Sequence, residues 1–309
     1  MIECRELTKK FNQFTAVDNL SFTAKKGQVL GFLGPNGAGK STTMKMITGF
    51  LSATSGTIKV CGIDINKDPI NAKSKIGYLP EGAPSYEEMQ VNDFLRFVAK
   101  MRGIPKANIE HKLDEIIDRI NLSKVYYQRI ETLSKGFKRR VGLAQAIIHD
   151  PEVLILDEPT DGLDPNQKYD VRKLIKSMSK EKTIIISTHI LEEVNSVCDR
   201  AIIISDGKIV ANNKPSELEN MSKYHRAVTF EADIEFALLN EIKKLSCVRD
   251  VDYDAAHKRT TVFPSQGLYI FDEISLFLQQ NKISVNSLSM EAGRLDEVFR
   301  NITLNKEAK

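Results

Sequence analysis

The length, composition and charge of the chain limit the classes of protein to which it can belong. The chain has 309 residues, 41% of them hydrophobic, which suits one large domain or a large and a small one with buried cores. Lys and Arg exceed Asp and Glu by three, so the net charge favours no nucleic-acid partner. No uncharged apolar stretch approaches the ~18 residues of a membrane helix, and the start MIECRELTKK has no signal-type segment. We therefore expect a globular protein that neither spans a membrane nor is secreted.

The cysteines lie far apart in the sequence and form no CxxC pair. This spacing argues against a zinc site and is typical of a reducing compartment. We interpret them as free thiols; they are Cys4, Cys61, Cys198 and Cys247.

The first strands surround a glycine-rich loop. Residues 1 to about 26 carry β-type segments, and the apolar run from Val29 to Leu33 predicts a strand buried on both faces. The loop GPNGAGKST follows, and a helix is predicted from Ser41 to Thr48. A further strand candidate runs from Thr57 to Val60.

This strand, loop and helix predict a phosphate site. Glycines allow positive φ angles and bring backbone N–H groups close to phosphate oxygens, and the helix N-terminus adds partial positive charge. Lys40 would contact the β- and γ-phosphates of ATP or GTP, and the Ser41 hydroxyl would ligate Mg²⁺. The alternative is a tight turn that contains Gly and Lys by chance. The residues assigned to the nucleotide are Gly34, Pro35, Asn36, Gly37, Ala38, Gly39, Lys40, Ser41 and Thr42.

Helical patterns fill the middle of the chain, from about residue 85 to 150. Apolar stripes predict two helices between Val91 and Asn121, which Pro105 separates. The segment LSKGFKRRVGLAQAIIHDP has Ser134 and Gly136 near a predicted helix start, which offers either a second anion site or an ordinary helix start. We interpret its basic triplet, residues 138 to 140, as a solvated helix face.

Short apolar strands follow, and polar residues come directly after two of them. Strands are predicted at Val153 to Leu156, Ile184 to Ile186 and Ile202 to Ile204, with helices between, which suits a parallel α/β sheet. Asp157 suits Mg²⁺, and Glu158 is a candidate to orient or deprotonate the water that attacks the γ-phosphate. The alternative is a pair of solvated carboxylates. His189 also ends a strand and can reach the γ-phosphate, or it can be structural.

Beyond Lys214 the chemical motifs become rare, and a separate unit is predicted. A strand around Val228, a helix from Phe236 to Leu245 and a strand at Val262 precede a helix from Leu268 to Gln280. A last amphipathic helix begins near Leu295. We expect a βαββαβ arrangement, with domains of residues 1–213 and 214–309.

The order of these motifs resembles the ATP-binding subunit of ATP-binding cassette (ABC) transporters over about residues 1 to 215. GPNGAGKST is similar to the Walker A motif of the family, LSKGF to its signature and VLILDEPT to its Walker B. DGLDP is similar to the D-loop and STH to the switch histidine. The resemblance implies a P-loop NTPase fold, with a RecA-like α/β core, an antiparallel β subdomain and a helical subdomain, followed here by the small α+β domain.

The resemblance also implies site residues. Phe11 would stack on adenine beside Val17, where the family usually has Tyr. Two chains would sandwich ATP, with Ser134 and Gly136 of one contacting the γ-phosphate held by the other. Asp164 would communicate across the dimer, and His189 would sense the γ-phosphate.

Three positions depart from the family pattern. Glu81 replaces the usual Gln that meets Mg²⁺ and the membrane partner, and a carboxylate still ligates magnesium. Lys135 and Phe137 replace Gly and Gln in the signature. Together with the ending LDEVFRNIT, these features resemble the ATPases of ABC-2 type exporters.

We therefore expect an ATP- and Mg²⁺-dependent ATPase on the cytoplasmic face of a membrane, with no nucleic-acid partner. It would pair with an identical or different ATP-binding subunit and drive a separate permease, which it would contact through the segment after Glu81 and the helices to Asn121. The C-terminal extension would support dimerisation or regulation. The alternatives are a soluble ABC-type switch that acts on nucleic acid or ribosomes without a permease, and a small-molecule kinase.

Overall fold

The chain folds into two compact units. The computed structural model describes residues 1–82, 85–265 and 268–304. The units are Met1–Pro215 and Ser216–Lys309.

The first unit is built from strands and helices that alternate after an initial hairpin. Its strands are β1 (Ile2–Phe11), β2 (Phe14–Ala24), β3 (Gln28–Leu33), β4 (Ser55–Val60), β5 (Ile63–Asp64), β6 (Ile76–Leu79), β7 (Val153–Asp157), β8 (Thr183–Thr188), β9 (Arg200–Ser205) and β10 (Lys208–Asn213). Its helices are α1 (Lys40–Ile47), α2 (Pro69–Ser74), α3 (Val91–Met101), α4 (Lys106–Ile120), α5 (Lys135–Ile147), α6 (Pro165–Ser179) and α7 (Leu191–Val197).

The strands of this unit form two sheets. An antiparallel sheet has the order β2-β1-β4-β5, and a second sheet has the order β10-β9-β3-β8-β7-β6. In the second sheet β9, β3, β8, β7 and β6 run parallel, and β10 pairs antiparallel with β9. The sequence therefore predicts four of these parallel strands, β3, β7, β8 and β9, and it misses the edge strand β6.

The parallel sheet is apolar because it is covered on both faces. All of β7 and β8 is buried, and the Phe22 ring on β2 meets the Phe32 ring on β3 edge-on, with centroids 4.9 Å apart. The two sheets thus share a core. Because the parallel strands end at one edge, the segments after β3, β7 and β8 lie side by side there.

Helices α3, α4 and α5 pack against one another as a helical layer. Their buried faces carry the predicted stripes: Phe94 and Leu95 on α3, and Leu113, Ile116 and Ile120 on α4, are buried. No described helix is long and apolar enough to cross a membrane.

The second unit has the predicted βαββαβ order and a final helix. Its elements are α8 (Pro215–Glu219), β11 (Val228–Ala232), α9 (Phe236–Lys244), β12 (Val248–Asp254), β13 (Arg259–Pro264), α10 (Phe271–Gln280), β14 (Val285–Met290) and α11 (Leu295–Leu304). The antiparallel sheet order β12-β13-β11-β14 gives this unit a ferredoxin-like topology. Its core joins Phe230 and Val262 of the sheet to Ile242 and Ile274 of the helices. Helix α10 begins at Phe271, three residues later than predicted.

Candidate active site

The glycine-rich loop after β3 requires glycine for two different reasons. A Cβ on Gly34 would lie 2.5 Å from the Ile204 carbonyl oxygen, so only hydrogen fits there. Gly39 has φ 103°, and its Cβ would lie 2.5 Å from the Ala16 carbonyl oxygen. Gly39 is also the N-cap of α1, which has no side-chain cap and no acidic residue in its first turn. The first N–H groups of α1 are therefore left for an anion.

Lys40 lies folded against the loop that precedes it. Its Nζ donates to the carbonyl oxygens of Gly34 at 2.7 Å and Pro35 at 3.1 Å, and the residue is 7% exposed. Burial lowers the pKa of Lys40, and the negative charges of Glu158, Asp157 and Glu81 oppose this shift. The ammonium group and three predicted site carboxylates thus lie within electrostatic reach of one another.

Asp157, the last residue of β7, offers an oxygen without a partner. Its Oδ1 accepts hydrogen bonds from Ser41 Oγ at 3.4 Å and from Ser187 Oγ. Its Oδ2 is buried and has no hydrogen-bond partner. A hydroxyl beside a free carboxylate oxygen fits Mg²⁺, which binds through one or two protein oxygens and keeps its other positions for water and phosphate. Within the described residues no group of three or more His, Cys, Asp or Glu could hold a metal ion.

Glu158 and His189 are joined directly. His189 Nδ1 donates to Glu158 Oε2 at 3.0 Å, and Glu158 is held in the left-handed region at φ 52°. The Glu158 N–H donates to the Ser187 carbonyl oxygen at 3.1 Å. A non-glycine residue at this φ persists only where its surroundings hold it, and such residues cluster at functional sites. The side chain of Glu158 is 12% exposed and that of His189 55%, so the pair opens to solvent through His189.

Arg139 corrects the interpretation of residues 138 to 140 as a solvated face. Arg139 is 5% exposed, and it donates to the carbonyl oxygens of Pro80 at 3.2 Å, Asp157 at 2.5 Å and Glu158. Burial lowers its pKa. The side chain of Arg140 is 11% exposed and donates to the Ile120 carbonyl oxygen. The signature helix α5 is thus tied to the strand end that carries the two carboxylates.

The spacing between Arg139 and the apolar positions of α5 could have predicted that Arg139 is buried. It lies three, four and seven residues before Gly142, Leu143 and Ala146, which are buried on α5. This spacing places Arg139 on the buried face of the helix. Its basic neighbours in the sequence concealed the signal.

The predicted signature and D-loop residues form a second group. Ser134 is the N-cap of α5 and its Oγ accepts from the Phe137 N–H, while Asp164 is the N-cap of α6 and accepts from the Gln167 N–H at 2.9 Å. A Cβ on Gly136 would lie 2.3 Å from Gln167 Oε1. Among the described residues no hydrogen bond or ion pair joins this group to residues 34–42.

The remaining predicted residues lie at the margins of the loop. Val17 is fully buried, and its Cγ2 would lie 3.3 Å from a Cβ on Gly39. Phe11 is 45% exposed near the tip of the β1–β2 hairpin, with Lys9 Nζ 5.1 Å from its ring centroid. Glu81 is exposed, next to the Pro80 carbonyl that Arg139 binds.

Comparison with known proteins decides the family. The family described as ABC transporter matches residues 17–161. The linearmycin resistance ATP-binding protein LnrL of Bacillus subtilis (strain 168) is 32% identical over 305 residues, which cover 98% of this chain and 98% of that protein. The chain belongs to the ABC transporter family of ATP-binding proteins. This ABC protein therefore binds and hydrolyses ATP.

Further relatives agree with this assignment. The ABC protein is 32% identical over 304 residues to the bacitracin transport ATP-binding protein BcrA of Bacillus licheniformis, covering 97% of this chain and 96% of that one. A solved structure of an ATP-binding subunit of an ABC transporter is 28% identical, with a TM-score of 0.66, and covers 71% of this chain and 92% of that chain. The predicted P-loop NTPase fold is confirmed.

Proposed function

We propose that this ABC ATPase powers an exporter of the ABC-2 type, as a peripheral subunit on the cytoplasmic face of a separate membrane permease. The observation that carries the proposal is the likeness to LnrL and BcrA, whose names assign them to linearmycin resistance and bacitracin transport. These alignments cover 98% and 97% of the chain and so include the C-terminal unit. A shorter alignment, 35% identical over 213 residues, relates the chain to a Nod factor export ATP-binding protein of Ralstonia nicotianae.

An apolar groove on the first unit supports a docking site for the permease. The groove has a volume of about 490 Å³ and exposes large apolar side chains, among them Phe50 at 78% and Met101 at 72%. Exposed apolar patches of this kind mark interaction sites. Its lining comes from α1, α3, α5 and the segments around them: Lys45, Phe50, Tyr78, Pro80, Glu81, Phe97, Val98, Met101, Arg102 and Gln145.

The segment after Glu81 extends this apolar surface. Tyr86 is 61% exposed and its ring stacks edge-on with Phe97, with centroids 5.6 Å apart. Residues 83 and 84 of this predicted contact lie outside the described residues. Because Arg139 also binds the Pro80 carbonyl, a permease segment seated here would press on the backbone that Arg139 ties to Glu158.

In the proposed reaction, Lys40 and the N–H groups of the loop hold the phosphates of ATP. Ser41 and Asp157 would hold Mg²⁺, and Glu81 would offer a further oxygen ligand. When bound, Mg²⁺ neutralises charge on the β- and γ-phosphates. Glu158 accepts a proton from the attacking water or orients it, and His189 fixes the Glu158 carboxylate and faces the γ-phosphate.

Dimerisation completes the proposed site. Ser134 and Gly136 of a second ATP-binding subunit, identical or different, would meet the γ-phosphate, and Asp164 would lie at the same interface. Phe11 and Val17 would hold adenine. Hydrolysis would then release the dimer and reset the permease.

The C-terminal unit supports this dimer in our proposal through its edge strand β14. β14 contains no charged residue and no proline, and its residues are exposed except for the partly buried Leu288. The opposite edge strand, β12, carries Asp250, Asp252 and Asp254. Charges commonly protect edge strands against pairing, so the uncharged edge fits another strand. Antiparallel pairing of β14 with its own copy satisfies two-fold symmetry.

Co-purification tests the transporter role. The chain is expressed with the membrane protein encoded beside it, and detergent extracts are purified through a tag on the chain. We expect the permease to co-purify, and Phe50→Asp to abolish its recovery while ATP binding is retained. Ile70→Asp is the matched control, since Ile70 is 81% exposed and does not line the groove. Recovery of nucleic acid or ribosomes without any membrane protein would favour the soluble switch instead.

A further inference from the structure

Glu193 is a buried carboxylate to which the proposed reaction gives no role. It lies on α7, the helix after His189, and is 1% exposed. An ionised carboxylate at such a position costs free energy unless donors satisfy it. Burial raises the pKa of Glu193, and the positive charges of Arg172 and Lys168 oppose this shift.

A threonine hydroxyl from another loop holds this carboxyl group. Thr160 Oγ1 donates to Glu193 Oε1, and the Glu193 N–H donates to the Ile190 carbonyl oxygen at 3.1 Å. Thr188 Oγ1 in turn accepts from the Ile190 N–H at 3.0 Å. Thr160 is 2% exposed and Thr188 is fully buried, so water does not substitute for either hydroxyl.

Each threonine is close in sequence to one member of the pair Glu158 and His189. Thr160 comes two residues after Glu158, and Thr188 directly precedes His189. The segments that follow Glu158 and His189, which approach at the 3.0 Å contact of that pair, are therefore joined a second time by the bond from Thr160 to the buried Glu193 side chain. Glu192, the neighbour of Glu193, points elsewhere and pairs with Arg172 at 2.8 Å.

We propose that Glu193 is a positioning residue for ATP hydrolysis: it joins Thr160 to α7, the helix that follows His189, and thereby holds Glu158 and His189 in register. The inference rests on the proposed roles of Glu158 and His189. Glu193 is given no contact with a reacting atom in the proposed reaction. Its loss should therefore lower kcat through displacement of the pair and leave ATP binding, which depends on residues 34–42, largely intact.

The test compares variants of the full chain by steady-state hydrolysis of Mg·ATP. We expect Glu193→Ala to lower kcat by about tenfold to a hundredfold, because a displacement of about 1 Å in a reacting group costs that much. KM should stay within about threefold, since the phosphate loop is unchanged. Glu193→Gln keeps a carbonyl acceptor for the freely rotating Thr160 hydroxyl, and it should restore kcat to within about threefold of the unsubstituted chain. Glu192→Ala is the matched control and should leave kcat unchanged.

A double substitution with His189 distinguishes an effect of Glu193 on positioning from an effect on general stability. In a His189→Ala background the pair no longer exists, so Glu193→Ala should lower kcat by much less than in the unsubstituted chain. Unchanged kcat in Glu193→Ala, equal losses in both backgrounds, or failure of Glu193→Gln to restore kcat would each overturn the inference.

Further variants guard against two ambiguities. If Glu193→Ala does not fold, Thr160→Val removes the partner hydroxyl of Glu193 at nearly constant volume, and it should lower kcat with KM retained; normal kcat would overturn the inference. Glu158→Gln, assayed alongside, isolates the underlying proposal. An active Glu158→Gln would refute the role of Glu158, whereas an inactive Glu158→Gln beside a fully active Glu193→Ala would refute only the inference about Glu193.

Discussion

The two units place their charged side chains differently. In the first unit Lys40, Arg139, Asp157 and Glu193 are all buried, and each contacts a segment that adjoins the carboxyl ends of the parallel strands. In the described part of the second unit the buried polar residues are Ser and Thr only, namely Ser222, Thr229, Thr260 and Thr261.

Charges of the second unit instead form ion pairs on its surface. Lys258 pairs with Asp233 and Lys243 with Asp250, and every one of these side chains is more than half exposed. Exposed pairs contribute little to stability, and a buried charge costs free energy unless it is satisfied. All residues of the proposed reaction lie in the first unit, and the role proposed for the second unit is assembly.

Substitution of Glu158 should have the largest effect. We expect Glu158→Gln to lower kcat by about 10²–10⁴-fold, because the amide cannot accept the proton of the attacking water. ATP binding should be retained, since the phosphate loop is intact, and an ATP-bound dimer should accumulate. Phosphate release and size-exclusion chromatography with ATP measure both effects, and hydrolysis at the unsubstituted rate would remove Glu158 from the reaction.

Substitution of Lys40 should weaken the binding of ATP itself and not only lower turnover. Lys40→Ala removes a charge-assisted contact to phosphate, worth about 1.5–3 kcal/mol, so the Kd for ATP should rise by about tenfold to a hundredfold. Titration with a fluorescent ATP analogue measures this change. Lys26→Ala removes an exposed lysine before β3 and serves as the control. An unchanged Kd would show that the phosphates bind elsewhere.

Substitution of Arg139 tests whether a buried charge in the first unit also stabilises the fold of that unit. Arg139→Met leaves the Pro80, Asp157 and Glu158 carbonyl oxygens without this donor, which should lower the free energy of unfolding by about 1–3 kcal/mol. Urea unfolding monitored by circular dichroism measures it. Lys138→Met is the control, because Lys138 pairs with a Glu87 side chain that is 58% exposed. Equal effects of the two substitutions would contradict the role given to Arg139.

Substitutions in the second unit should have the smallest effect, and that effect should be on dimerisation. Ser287→Lys places a charge on the β14 edge, and we expect the ATP-bound dimer of the Glu158→Gln protein to dissociate up to about tenfold more readily. The kcat per assembled dimer should not change. Asp252→Lys places the same charge on β12 and should leave dimerisation unaffected. Sedimentation of both variants, and of a chain truncated after Asn213, decides the matter; normal dimers in all three would exclude the C-terminal unit from assembly.

The sequence determined those parts of the protein in which local conformation is sufficient. The strand, loop and helix around Lys40 follow from an apolar run, glycines with positive φ and a helix start, all within about twenty consecutive residues. In the second unit periodicity predicts β11, α9, β13 and α10, whereas β12 and β14 follow only from the expected βαββαβ order. The order of the motifs along the chain was sufficient to indicate the family.

Tertiary structure decided which distant residues meet, because a parallel sheet joins segments that are separated along the chain by whole helices. Only the fold brings Ser187 to Asp157, His189 to Glu158 and the Thr160 hydroxyl to Glu193. It also determined that Arg139, one of several basic residues on α5, is buried. Charge in a sequence indicates exposure only on average, and a buried charge is stable where non-local carbonyls or hydroxyls satisfy it.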